Sequence, residues 1–375
     1  MHLEFTTEQD ELRDGVRAML ARECPIALVR EVVEKGAAPE ALWAHMVELG
    51  WPALTVPEQA GGLGMGAVEL AVVVEELGRV LAPGPFVPTV TQFAPVVAEA
   101  GSPEQRARFL GGIAAGEITG ALAFVEDNGS IDAGHLSSTA TPDGDGFVLD
   151  GTKAAVLEAA TAEEIAVVAR TGTDGDGDVG AFVVPRADAR VDAVEALDAS
   201  RPLARVTLDS VHVDVDRVLG EPGPATTAAV GRAVDVATTA LAVETVGAAQ
   251  AIFDITLAYA KHREQFGVPI GSFQAIKHKF ADMLVALERA RATSYFAALT
   301  IAEDDDRRTL AASIAKAAAG DCAALLAKEG IQIHGGIGYT WEHDMHLYVR
   351  RVKSNALLFG DARQHRARVA DLICL

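Results

Sequence analysis

From Thr227 to Glu264 the chain runs for nearly 40 residues without a proline. This alanine-rich stretch reads as one long helix, stopped by Gly267, Pro269 and Gly271. Two further helices are expected at about 274–302 and 307–334, and a last one through about 343–373. Four long antiparallel helices make a bundle, so the C-terminal part of the chain is committed to helix-on-helix packing.

Two other textures precede it. Residues 1 to about 115 read as helical. Thr6 and Gln9 have capping-box spacing before an amphipathic run to Arg22. "PEALWAHMVELG" fits a helix with Pro39 in its first turn and Gly50 as its stop. "AVELAVVVEELGRVLAP" fits a third, and "SPEQRARFLGGIAAG" a fourth with Ser102 as N-cap. The glycine-rich "EQAGGLGMG" lacks a preceding strand and a Lys-Ser/Thr pair, so it reads as a connection and not a phosphate loop. From about 118 to 220, "GFVLDG", "IAVVART", "GAFVVP" and "ARVTLDSVHVD" alternate with Gly, Asp and Pro turns, the pattern of short antiparallel strands. Asp-Gly pairs in "TPDGDG" and "GTDGDGD" signal hairpins.

Composition excludes some functions. The 53 acidic residues outnumber 32 Lys and Arg, for a net charge of -21. An anionic chain is ill suited to nucleic acid or an anionic membrane, although a few local cations can still hold an anionic ligand. Cys24, Cys322 and Cys374 show no disulfide framework or metal spacing. The opening "MHLEFTTEQDEL" has no basic or apolar leader region, and the long apolar helices carry internal charges. These features point to the cytoplasm.

Candidate chemistry concentrates in two segments. In "YAKHREQFGVPIGSFQ", Arg263 lies one turn beyond Tyr259 at a helix end. An arginine held there suits a phosphate or pyrophosphate, although spacing alone favours an ion pair. In "GIQIHGGIGYTWEHDMHLYVRR", Gly335 and Gly336 allow close approach of an anion to the backbone, or simply cap a helix. His343 and His346 are three apart with no third ligand in evidence, so no metal site is expected. His365, within "RQHRAR", reads as part of a solvated basic face.

Together these segments resemble the acyl-CoA dehydrogenase family. Its Arg, Gln-Phe-Gly, Pro-Ile motif is matched by Arg263, Gln265, Phe266, Gly267, Pro269 and Ile270, followed by Gln274. Its later glycine motif is matched by Gln332, Gly335, Gly336 and Gly338. The resemblance implies an α+β fold: an N-terminal helical domain (1–117), a middle β-barrel domain (118–222) and a C-terminal four-helix bundle (223–375). It also implies FAD, held between two subunits. Arg263, Gln265, Phe266, Gln274, Gln332, Gly335 and Gly336 would grip the adenosine-pyrophosphate end of a neighbour's FAD.

The reaction of the family removes a proton α to a thioester while a hydride leaves the β carbon, so it needs a carboxylate base. At the family's usual base position stands Phe359, with Asp361 two places on; at the alternative position stands Ala237. Of the family's flavin loop, "VEDNGSID" keeps Glu126 and Asp132. The Trp-Ile-Thr strand that packs on the flavin ring aligns, after Lys153, as Ala155, Val156 and Leu157. The losses fall on the ring-binding and catalytic half, and the retained residues on the half lent to a neighbour.

That division implies a subunit without its own catalytic base, in a heteromeric FAD-dependent dehydrogenase. The style resembles one subunit of the heterotetrameric actinobacterial enzymes that act on steroid side-chain acyl-CoA esters. The implied partners are a homologous catalytic subunit, an acyl-CoA substrate and an electron-transfer flavoprotein. Two alternatives stay open at this point. Glu244, two turns beyond Ala237, could serve as base in an active homomer, or the chain could be a scaffold without activity.

Overall fold

The computed structural model describes residues 4–171 and 178–374. The Asp-Gly turn expected over 172–177 lies outside the described residues. The chain forms two compact units. The first comprises residues 1–37, 67–82 and 238–375, and the second residues 38–66 and 83–237.

The first unit contains α1 (Thr7–Glu23), α2 (Ile26–Lys35) and α4 (Ala67–Arg79), with most of α7 (Pro224–His262). It continues with α8 (Gln274–Ala302), α9 (Arg308–His334), α10 (Met345–Leu357) and α11 (Ala362–Leu372). The capping box at Thr6 is present, with both reciprocal bonds to Gln9 formed. α4 and α7 cross where glycines meet backbone. A Cβ on Gly78 would collide with the carbonyl of Glu244, and one on Gly247 with that of Glu75. Small residues thus set how closely these two helices pack. α7 and the helix through Arg308–Tyr339 are long and apolar enough to cross a bilayer, but 83% and 67% of their apolar windows are buried inside the protein, as core helices are.

The helix expected over about 343–373 is two helices. The chain breaks at Phe359 (φ 52°) and Gly360 (φ 91°), and Asp361 restarts it by capping α11 in a box with Gln364. The buried ammonium of Lys316 donates to the carbonyls of Ala356 (3.2 Å) and Gly360 (2.8 Å), groups released by the break. Burial lowers the Lys316 pKa to about 7.

The second unit holds α3 (Glu40–Glu48) and two helices, α5 (86–100) and α6 (103–114), each carrying a π-helical turn. Its sheet runs from β1 (Gly120–Ala123) and β2 (Thr139–Asp143) through β3 (Gly146–Leu157), β4 (Glu164–Arg170) and β5 (Val179–Pro185). It ends with β6 (Arg190–Val194), β7 (Leu203–Val213) and β8 (Val218–Leu219). Among the described residues the strand order is β6-β7-β3-β2-β4-β5-β8, an open path and not a closed barrel. The expected all-antiparallel pattern is also corrected: β4 pairs in parallel with both β1 and β2. Neither parallel pair is joined by a hairpin: β2 and β3 separate β1 from β4 in sequence, and β3 separates β2 from β4. The "TPDGDG" hairpin is present, joining β2 to β3 with Asp143 opposite Gly146. Ile165, Val167, Phe182, Val184 and Val206 fill the core of this sheet.

Candidate functional site

The end of α7 sets the first half of the site. Beyond it, Glu264–Gln265 and Val268–Pro269 pair as a small hairpin, β9 and β10. Its turn residues, Phe266 (φ 57°) and Gly267 (φ 78°), are both left-handed. Glycine accepts that conformation freely, whereas a phenylalanine held there is strained. Phe266 is nevertheless 92% exposed, with its ring edge-on to Phe273 at 6.2 Å. Arg263 opens the hairpin. Its backbone is fixed by the Tyr259 carbonyl and the Ile270 N–H, both at 2.8 Å. Its exposed guanidinium has no hydrogen-bond or ion-pair partner among the described residues, so the ion pair left open by the sequence is not formed within the chain. Gln265 and Gln274, the latter at the start of α8, are exposed on the same segment.

Tyr259 ties this hairpin to the glycine motif. Its ring stacks on His334 at 4.4 Å, and its hydroxyl reaches the His334 carbonyl at 3.4 Å. His334 closes α9, and Gly335 (φ 64°, ψ -141°) turns the chain away. Chain neighbours aside, no described residue lies within 4 Å of where a Cβ would stand on Gly335 or Gly336. Gln332 is exposed on the last turn of α9. The structure therefore brings the arginine segment and the glycine turn together through one aromatic stack. Sequence reasoning missed His334, although a tyrosine one turn before Arg263 and a histidine beside Gly335 were both legible.

The other histidines singled out in the sequence, His343, His346 and His365, make contacts within the chain. The His343 ring sits edge-on to His334 at 4.7 Å, and His346 stacks on Trp341 at 4.5 Å. His365 is not on a solvated face. It is buried, its Nε2–H donates to the Phe359 carbonyl at 2.8 Å, and burial lowers its pKa to about 4. The apolar break at Phe359 draws that ring inward, which a reading of "RQHRAR" as basic surface did not register.

The flavin-loop positions in the second unit are spent on internal bonds. Glu126 accepts from the backbone N–H groups of Ser137 (2.6 Å) and Ser138 (2.9 Å) and from buried Lys153 (2.7 Å). Asp132 accepts from the Gly134 N–H at 2.9 Å. Ala155 occupies a bulge in β3 with φ 51° and is exposed, while Val156 lies in the sheet core and Leu157 is buried. These positions present neither an aromatic face nor a hydroxyl.

Burial pushes the Glu126 carboxyl up, but Lys153 and the serine amides outweigh it and hold its pKa at about 2. A carboxylate depressed below its ordinary value of 4.5 stabilises the fold above that pH, and the contribution is lost as pH falls through the folded value. Thermal melts between pH 5 and 2, in Glu126→Gln and the parent, are expected to show a flatter pH dependence in the variant. Parallel curves would mean that Glu126 contributes no such linkage.

The candidate bases divide as follows. Ala237 and Phe359 are buried and cannot take a proton. Asp361 is the cap of α11. Glu244 is fully buried, with Oε1 2.8 Å from Arg351 and Oε2 2.9 Å from Asn355, both also fully buried. Held at both oxygens inside the helical unit, it is fixed as the partner of an arginine.

Comparison with known proteins agrees with this geometry. The chain matches the acyl-CoA dehydrogenase N-terminal domain at residues 6–117, the middle domain at 121–218 and the C-terminal domain at 227–373. It is 33% identical over 359 residues to the acyl-CoA dehydrogenase IpdE2 of Mycobacterium tuberculosis, covering 95% of this chain and 94% of that one. Among solved structures it is 34% identical to a chain of the Tcur3481–Tcur3483 steroid ACAD, with a TM-score of 0.87 over 98% of each. It is 25% identical to a chain of the ChsE4–ChsE5 complex of Mycobacterium tuberculosis, with a TM-score of 0.90 over 100% of this chain and 99% of that one. With all three domains matched over nearly its whole length, the chain belongs to the acyl-CoA dehydrogenase family, whose members bind FAD.

Proposed function

We propose that this chain is a subunit of a heteromeric FAD-dependent acyl-CoA dehydrogenase, and that it lends the adenosine-pyrophosphate half of a FAD site to a homologous catalytic subunit. The carrying observation is Arg263, backbone-fixed on both sides, exposed, and without a partner among the described residues. Arg263 would neutralise the pyrophosphate, and the N–H groups at Gly335 and Gly336 would approach it from the glycine turn. Phe266, Gln265, Gln274 and Gln332 would complete that half. When bound, FAD supplies the hydride acceptor of the reaction. The flavin-ring positions of this chain do not suit it: Ala155 replaces the aromatic, and Glu126 is tied to Lys153.

The partner subunit would carry the base and the ring cradle. A bulky steroid side-chain acyl-CoA is the substrate class favoured by the similarity to a steroid ACAD. The similarity to the ChsE4–ChsE5 complex favours a hetero-oligomer. The domain limits 1–117, 118–222 and 223–375, an electron-transfer flavoprotein as acceptor and a cytoplasmic setting belong to the same proposal.

The test is the visible spectrum of the chain purified alone, and then co-purified with a homologous subunit that has an intact base. Colourless protein alone and a yellow complex, near one FAD per pair, is expected. Stoichiometric FAD in the chain alone would overturn the proposal.

A further inference from the structure

A cleft of about 290 Å³ opens in the first unit where α1, α4, α7 and α10 meet. That volume lies at the lower end for small-molecule pockets. Leu20, Val80 and Ile255 give it aliphatic walls. Tyr348, 8% exposed, contributes a phenol that no described residue hydrogen-bonds. Burial raises the pKa of that phenol to about 12, so it keeps its proton and remains a donor. A nearly buried hydroxyl without a partner calls for a ligand or water to satisfy it.

The charged groups of the cleft are unevenly satisfied. Glu76 accepts two bonds from Arg17, at 2.7 and 3.0 Å, and lies 3.9 Å from Arg79. Asp254 accepts from Arg79 at 3.0 Å and from Gln250 at 2.8 Å. Both carboxylates are therefore occupied. The Nη1 groups of Arg17 and Arg79 have no acceptor among the described residues. The donors without an acceptor among the described residues are one phenol and two part-exposed guanidinium groups, all on residues that line this cleft beside its aliphatic wall.

We propose that this cleft binds a small carboxylate with an aliphatic body, its head on Tyr348 and the two arginines and its tail against Leu20, Val80 and Ile255. The site is a second one, built wholly from residues of the first unit and using none of the residues assigned to FAD.

The test is saturation-transfer NMR on the full chain with hexanoate, using hexan-1-ol and inorganic phosphate as comparators. Saturable hexanoate binding is expected, with hexan-1-ol and phosphate each much weaker. Tyr348→Phe, which keeps the ring packing, should weaken hexanoate about tenfold. Ala21→Phe, on the exposed side of the cleft wall, should abolish binding while leaving the circular dichroism unchanged. Absence of hexanoate binding would overturn the proposal. So would equal binding of hexan-1-ol or phosphate, or unchanged hexanoate binding in both variants.

Discussion

Arg263→Ala in the co-purified complex is expected to strip most of the flavin colour while leaving the two subunits associated. A guanidinium–phosphate interaction is among the stronger hydrogen-bonded contacts, worth about 1.5–3 kcal/mol. That corresponds to roughly ten- to a hundredfold in FAD affinity. The folded chain has little reason to notice the change, because the side chain is exposed and bonds to nothing described. Arg263→Lys should recover part of the affinity, since it keeps the charge and loses the planar fork. FAD titration by fluorescence quenching, beside gel filtration of the complex, gives both readouts. Retention of parental FAD affinity in Arg263→Ala would sink the assignment of the pyrophosphate to this segment.

Glu244→Gln is expected to destabilise the chain by about 3–5 kcal/mol, the usual cost of breaking a buried pair from one side. Arg351 would be left charged, fully buried and without its counter-ion. The asymmetry matters, because replacing both partners by apolar residues of similar size is often close to neutral. Glu244→Met with Arg351→Met should therefore recover much of what Glu244→Gln loses. Urea denaturation of the three forms measures this. The same series separates a structural role from a catalytic one. A base would lose turnover on substitution by Gln while the denaturation midpoint held. A loss below about 1 kcal/mol would show that the pair is not what holds these helices.

Much of the architecture was legible because local signals and tertiary needs agree. The Thr6–Gln9 and Ser102–Gln105 capping boxes, the Asp143–Gly144 hairpin and the proline-free run ending at Gly267 are short-range devices, and each is formed. The break at 358–361 had a signal of the same kind, Asp361 followed by Gln364, but the apolar residues before it masked it. The parallel pairing of β1 and β2 with β4 had no local signal at all, because strand partners distant in sequence leave no trace in either strand alone.

The site shows the same division. Arg263, Phe266 and the Gly335–Gly336 pair could be picked out by residue type and spacing. That Arg263 finds no counter-ion among the described residues, that Tyr259 joins it to the glycine turn through His334, and that Phe266 stands exposed in a left-handed turn are properties of packing. Glu244 is the clearest case. Its spacing from Ala237 left a base readable beside the favoured structural partner, and the partners themselves lie more than 100 positions away, at Arg351 and Asn355. By itself the sequence determined most helical and strand segments, the family and the residues proposed to meet a pyrophosphate, because periodicity, caps and motif chemistry are local. The tertiary structure decided which charges are used up inside the fold and which are left exposed, because the fate of a charge depends on what the rest of the chain brings within a few ångströms of it.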